Sequence, residues 1–363
     1  MTDHSQFELS TVSDDEVVAH LPGEGGAPAE VLRRDALAPD SDYDFSGLRL
    51  RTLPRPGGEL LARVTTANDV HFGENGCGIV GHGDTSELGD LATGADAGSA
   101  APTPVLRSQA GETPYPQLMS DHAAGEMAAL QPDAVVVKGD LTDAGRPEEY
   151  QAFLDCYEGA FGERLVHVRG NHDAYEGRRF ADAEVREVTL PGVILAVLDT
   201  TIERSATGQL RSSQLEWLDE LAARADRPVL VFGHHHAWSP NSRRRSPGYF
   251  GINPDDSESL VALVARRPNV LGYFAGHTHR NRVRRFSATG DVPYVEVASV
   301  KDFPGSWAEY RVFEGGVLQV HRRISSPAAL AWSELCRTLY WGLYPGYAFG
   351  QLADRCFPIL PRV

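Results

Sequence analysis

The apolar positions of this chain gather into short, β-branched runs that stop abruptly at polar clusters. Ala134-Val135-Val136-Val137 gives way to Lys138-Gly139-Asp140. A run this short, with no polar alternation, predicts a strand buried on both faces of a parallel sheet. The same form recurs four times. Leu60–Ala67 ends in Asn68-Asp69-Val70-His71, and Leu165–Val168 ends in Arg169-Gly170-Asn171-His172-Asp173. Pro228–Phe232 ends in Gly233-His234-His235-His236, and Val270–Ala275 ends in Gly276-His277-Thr278-His279. Between these runs, residues 119–130, 147–161, 213–223 and 257–266 carry apolar side chains at helical spacing. Pro147 opens the second of these where proline is favoured, at a helix N-terminus. Val188–Thr200 reads as two strands around Pro191-Gly192. Residues 281–324 alternate apolar and polar, which predicts antiparallel strands in a second sheet. Strands alternating with helices predict an α/β fold.

The remaining segments divide the chain into three parts. Residues 1–45 are acidic and rich in Pro and Gly, and predict an extended or poorly ordered arm. A central domain then runs over 46–325. It begins with an edge hairpin over 46–60 that turns at Pro54–Gly58. It also carries a long Gly/Ala/Ser/Thr/Pro-rich tract over 73–115, far beyond the length of a usual βα loop. That tract is either a passive insertion or a lid. Residues 326–363 form an aromatic C-terminal segment that docks on the domain or, alternatively, faces a second copy. Glu334, Arg337 and Pro345 argue against a membrane span there.

Charge and composition narrow the function classes. A formal net charge of −16 argues against a broad nucleic-acid-binding surface. Arg243-Arg244-Arg245 is a local basic turn that either reaches the site mouth or stays solvated. Cys77, Cys156, Cys336 and Cys356 form no C-x-x-C pair and are read as reduced thiols of a cytoplasmic protein. The start, Met-Thr-Asp-His-Ser-Gln, has no basic and apolar signal regions. No apolar run approaches the ~20 residues a membrane span needs.

What the strand ends carry is metal-binding chemistry. In order they give D-x-H (Asp69, His71), G-D-x-x-D (Asp140, Asp143), G-N-H-D (Asn171, His172, Asp173), G-H-H (His234) and G-H-x-H (His277, His279). Sites in open α/β sheets form beyond the carboxyl ends of strands. Strand side chains repeat every two residues, so D-x-H and H-x-H are expected to point each pair the same way. Three consecutive histidines after a buried strand are hard to explain as packing.

These blocks, in this order, resemble the calcineurin-like metallophosphoesterases over about residues 60–322. The resemblance implies a four-layer α/β/β/α sandwich of two mixed sheets flanked by helices. It also implies two divalent or mixed-valence metal ions (Mn, Fe or Zn). Asp69, His71, Asp140 and His279 would hold one, and Asp140, Asn171, His234 and His277 the other. His172 would protonate the leaving oxygen and Asp173 would orient His172. The implied partner is a small phosphate ester, nucleotide-like or a sugar phosphate, hydrolysed by a monomer or homodimer with no covalent phospho-enzyme. The alternative is a catalytically inactive binding or scaffold protein on the same fold. Asp143 and His71 stand where purple acid phosphatases have a Tyr and lack a His. Gln214-Leu215-Glu216-Trp217-Leu218 looks like the bacterial cyclic-nucleotide phosphodiesterase branch. That branch commonly has His-His-Pro where this chain has His234-His235-His236-Ala237.

Overall fold

Two six-stranded mixed sheets stack face to face in the computed structural model, which describes residues 7–23, 27–78, 105–177, 179–239 and 245–362. The N-terminal strands come first in the chain: β1 (Glu8–Val12), β2 (Val17–Leu21), β3 (Glu30–Arg34), β4 (Asp42–Phe45) and β5 (Leu48–Arg51). Next come β6 (Leu60–Ala67), β7 (Ala134–Lys138), β8 (Leu165–Val168), β9 (Val185–Leu190), β10 (Val193–Leu198), β11 (Val229–Phe232) and β12 (Val270–Ala275). The last are β13 (Arg282–Arg285), β14 (Pro293–Glu296), β15 (Ser306–Phe313), β16 (Gly316–Arg323) and β17 (Phe357–Ile359). The first sheet has the order β17-β16-β15-β6-β7-β8, and the second β13-β14-β12-β11-β10-β9. β6, β7 and β8 are parallel, as are β10, β11, β12 and β14.

The all-apolar runs follow from burial on both faces. Val135 and Val137 pack with Met119 of α1 (Tyr115–Ala129) and Phe153 of α2 (Pro147–Phe161). Their neighbours Ala134 and Val136 face the other way, between the sheets, with Leu230, Phe232 and Phe274. In the second sheet Val229 and Val231 meet Leu218 and Leu260, after the one-turn helix α3 (Asn171–Ala174), from α4 (Ser212–Arg224) and α5 (Pro254–Arg266). Four layers result, helix–sheet–sheet–helix. Lys138, fully buried at the end of β7, donates from Nζ to the Ala275 carbonyl at 3.0 Å and joins the two sheets beside the strand ends.

Three segments depart from the sequence-based expectation. Residues 8–21 are not an extended arm: β1 and β2 pair and bury Val12, Val17 and Ala19. Their acidity is consumed by ion pairs, because Asp14, Asp15 and Glu16 meet Arg311 on β15, and Glu16 also meets Arg322 on β16. The hairpin near residue 50 turns at Ser46-Gly47, where both residues have positive φ, and not at Pro54–Gly58. The strands over 281–324 do not form one sheet of their own. β13 and β14 extend the second sheet, and β15 and β16 the first.

Of the long tract after β6, residues 79–104 lie outside the described residues, and with them most of the lid question; its base is closed by paired backbone hydrogen bonds between Cys77 and Leu106. Arg243 and Arg244 also lie outside the described residues, while Arg245 pairs with Asp255 and Glu258 on α5. At the C-terminal end, Trp332 of α6 (Pro327–Cys336) stacks on Tyr115 with ring centroids 4.3 Å apart. Tyr347 of α7 (Tyr344–Ala348) donates to the Thr278 carbonyl at 2.8 Å, so the aromatic segment braces the turn that carries His277 and His279. No described helix is long and apolar enough to cross a membrane.

The ion-pair cluster sets a measurable stability. The buried Glu309 carboxylate contacts Arg63, Arg311 and Arg322. Burial alone would raise its pKa, but the attraction of Arg322, Arg311 and Arg63 holds it below its ordinary value of 4.5. Glu309→Ala leaves buried guanidinium groups short of a partner and is expected to cost about 3 kcal/mol in urea unfolding at pH 7. A carboxylate with a lowered folded-state pKa stabilises fully above its unfolded pKa, and that contribution is lost as pH falls through the folded value. The gap between wild type and variant should therefore close in acid. A gap that persists below both values would show the loss to be packing.

Candidate metal centre

All five polar clusters meet at one edge of the sandwich, where the parallel strands of both sheets end. The backbone there is unusual. Asp69 (φ 52°), His71 (φ 47°), Asp140 (φ 49°), His277 (φ 71°) and His279 (φ 52°) all sit in the left-handed region, which costs a non-glycine residue free energy. The expected same-side extended geometry of D-x-H and H-x-H is thus corrected: tight left-handed turns bring the side chains together. Two glycines make room for them. A Cβ on Gly170 would stand 2.2 Å from Asp140 Oδ1, and one on Gly139, at φ +83°, would stand 2.6 Å from His234 Nδ1.

The convergence is close. Asp140 Oδ2 lies 3.5 Å from His71 Nε2 and 3.4 Å from His234 Nε2. His279 Nε2 lies 3.5 Å from Asp69 Oδ1, and His234 Nε2 lies 3.0 Å from Asn171 Oδ1. Potential ligand atoms of Asp69, His71, Asp140 and His279 all fall within 4.8 Å of one another. Those of His234, His235 and His277 form a second such group. Neither ring nitrogen of buried His71 has a hydrogen-bond partner among the described residues, nor does Nε2 of His277. Orphaned imidazole nitrogens beside two buried carboxylates are what a cation would satisfy.

Second contacts aim the rings. His234 donates from Nδ1 to the Lys138 carbonyl at 2.8 Å, which leaves the Nε2 lone pair toward Asp140 and Asn171. His279 Nδ1 pairs with Asp302 Oδ2 at 2.9 Å, and Asp302 is itself held by Ser299. Such partners set the tautomer and the basicity of a ligating histidine. The field at the centre favours positive charge. Burial alone would lower His234, but Asp140 and Asp69 outweigh it and carry its pKa up to about 9. Burial and nearby cationic groups, Lys301 foremost, hold His71 well below the usual histidine value, in the neutral form that ligates.

A sequence model of calcineurin-like phosphoesterases matches residues 62–281, which contain all five clusters. The chain belongs to the calcineurin-like phosphoesterase family. Two curated members are instructive. A glycerophosphodiester phosphodiesterase of Enterobacter lignolyticus is 31% identical over 170 residues, 41% of this chain and 56% of that protein. A cAMP/cGMP dual specificity phosphodiesterase of Mycobacterium tuberculosis is 34% identical over 182 residues, 46% of this chain and 56% of that protein. The chain thus spans little more than half the length of these relatives. Among solved structures, a dimetal phosphatase from Danio rerio shares the fold, with a TM-score of 0.50, 16% identity, and coverage of 74% of this chain and 98% of that one. The calcineurin-like phosphoesterase family uses a dinuclear metal site, and the residues gathered here fit one in type, burial and unsatisfied nitrogens.

One role expected within this family member needs correction. Asp173 does not face His172. Its carboxylate accepts from the backbone N–H groups of Leu141, Thr142 and Gly170 and from the Thr142 hydroxyl, tying together the loops after β7 and β8. His172 is instead oriented by the Asp143 carbonyl, which accepts from its Nδ1 at 2.7 Å. The reason lies in α3: Asn171-His172-Asp173 opens a helical turn, so consecutive side chains diverge. Asp302, which aims His279, lies in the loop beyond the end of β14 at Glu296, too far from the strand end to share the signal of the other clusters.

Proposed function

We propose that this chain hydrolyses small phosphoric esters at the strand-end centre, with a preference for diesters. The observation that carries this reading is the convergence of Asp69, His71, Asp140, Asn171, His234, His277 and His279, five of them in left-handed backbone. In this reading Asp69, His71, Asp140 and His279 hold one cation and Asp140, Asn171, His234 and His277 the other. Oxygen and imidazole donors suit Mn, Fe or Zn. When bound, such ions offset charge on phosphoryl oxygens and lower the pKa of water to about 7.

The chain's own residues do the rest. Asp140 lies between the two ligand groups, and its Oδ1 is further fixed by the His172 backbone N–H at 2.9 Å. The His172 side chain, 29% exposed, faces the mouth while the proposed ligands lie deeper. With Nδ1–H given to the Asp143 carbonyl, its Nε2 is the atom that can hand a proton to the departing oxygen. The relatives named as phosphodiesterases support the diester preference. The retained His172 argues against the scaffold alternative.

The test is a panel on metal-analysed protein: bis-p-nitrophenyl phosphate, p-nitrophenyl phosphate, cyclic AMP and a glycerophosphodiester. Diesters should turn over fastest. No hydrolysis of any of them by a chain carrying two ions would overturn the proposal.

A further inference from the structure

We infer that His235 is an additional imidazole ligand in the half of the centre served by His234 and His277. The inference rests on the metal reading proposed above. That half would then offer three imidazoles beside Asp140 and Asn171, where the other offers two imidazoles and two carboxylates.

Position comes first. Ring centroids lie 4.9 Å apart for His234 and His235, 5.0 Å for His234 and His277, and 4.6 Å for His235 and His277. Potential ligand atoms of all three fall within 4.8 Å of one another, and all three side chains are buried. His235 Nδ1 lies 2.8 Å from Thr200 Oγ1. Its Nε2 is buried and has no hydrogen-bond partner among the described residues. Leaving a buried polar nitrogen unpaired is costly, so such a group has an explanation to find. Thr200 Oγ1, which already accepts from the His235 backbone N–H at 3.2 Å, can accept from Nδ1–H as well; in that tautomer Nε2 presents a lone pair, as in other ligating histidines whose far nitrogen is fixed by a hydrogen bond.

The ring is also clamped. A Cβ on Gly208 would stand 2.5 Å from His235 Cγ, so glycine lets the backbone close on the imidazole. Tyr273 donates from Oη to the His235 carbonyl at 2.7 Å. A packing histidine has no need of an unpaired inner nitrogen. Adding an imidazole shifts a site toward zinc and away from manganese, which prefers oxygen donors.

The test compares wild type, His235→Phe and Thr200→Val as metal-free chains titrated with Zn²⁺ or Mn²⁺ against a competing chelator. Cobalt-loaded samples report the ligand field by visible absorption. His235→Phe keeps a ring and removes both nitrogens. It should weaken zinc at one of two positions more strongly than loss of a ligand's hydrogen-bond partner does, change manganese much less, and alter the cobalt spectrum. Thr200→Val should weaken zinc in the same direction by about 10–100-fold at most. Unchanged zinc binding and an unchanged cobalt spectrum in a His235→Phe chain that melts like wild type would overturn the inference. If that variant fails to fold, unchanged zinc binding in Thr200→Val overturns it instead. A wild-type chain that binds fewer than two ions would overturn the metal reading itself, a separate outcome.

Discussion

Asp140→Ala is expected to release both cations and to cut turnover on bis-p-nitrophenyl phosphate by about 10³-fold or more. Among the described residues, this carboxylate is the one acidic group within 3.5 Å of imidazoles from both halves of the centre, His71 on one side and His234 on the other. Its removal takes a charge from each half at once. Metal-derived stabilisation of a phosphoryl transition state amounts to several kcal/mol, and each 1.36 kcal/mol is tenfold in rate, which sets the size of the loss. Burial works against the charged form of Asp140, but the attraction and hydrogen bond of His234, foremost among its neighbours, outweigh it and hold its pKa well below the ordinary carboxylate range. Asp140→Asn is the needed control. Asn tolerates the left-handed φ of 49° as well as Asp does and keeps an acceptor for the His172 N–H, so it isolates the charge from backbone strain. Metal content per chain and turnover are the two measurements. An alanine variant that retains two ions would show that Asp140 is not shared.

Much of this centre is legible in the residues because local and long-range constraints coincide there. Val135, Val136 and Val137 are apolar because the strand is covered on both faces, and Lys138, Gly139 and Asp140 appear directly where that run ends. The five clusters can thus be found by looking only at where the apolar runs end, although most of the cluster residues are themselves buried. What is not legible depends on partners far away in sequence. Asp14, Asp15 and Glu16 look solvated until Arg311 and Arg322 arrive some three hundred residues later. Asp173 looks like a partner for His172 because the two are adjacent, but α3 turns them apart and the Leu141 and Thr142 amides claim the carboxylate. Left-handed φ at Asp69, His71 and His279 has no sequence signal, since no glycine stands at those positions. It appears only once the strands have placed the donors against one another.

His172→Ala is expected to keep both cations and lose turnover unevenly across substrates. His172 contacts the centre edge-on, with its ring centroid 4.4 Å from that of His71, and its Nδ1 is committed to the Asp143 carbonyl. A proton donor in this position matters most when the departing oxygen is strongly basic. The loss should therefore be about 10²–10⁴-fold for an alkyl ester, the usual range for general acid catalysis, and much smaller for p-nitrophenyl esters, whose leaving group needs little protonation. Equal losses on both would reduce His172 to a substrate-positioning residue. A third outcome is also decisive, because His71, Asp143 and His172 themselves bring potential ligand atoms within 4.8 Å of one another. If the variant loses an ion along with its activity, His172 belongs among the ligands and not at the leaving group. The metal analysis must accompany the rate measurements, since rates alone would not separate a missing proton from a missing cation.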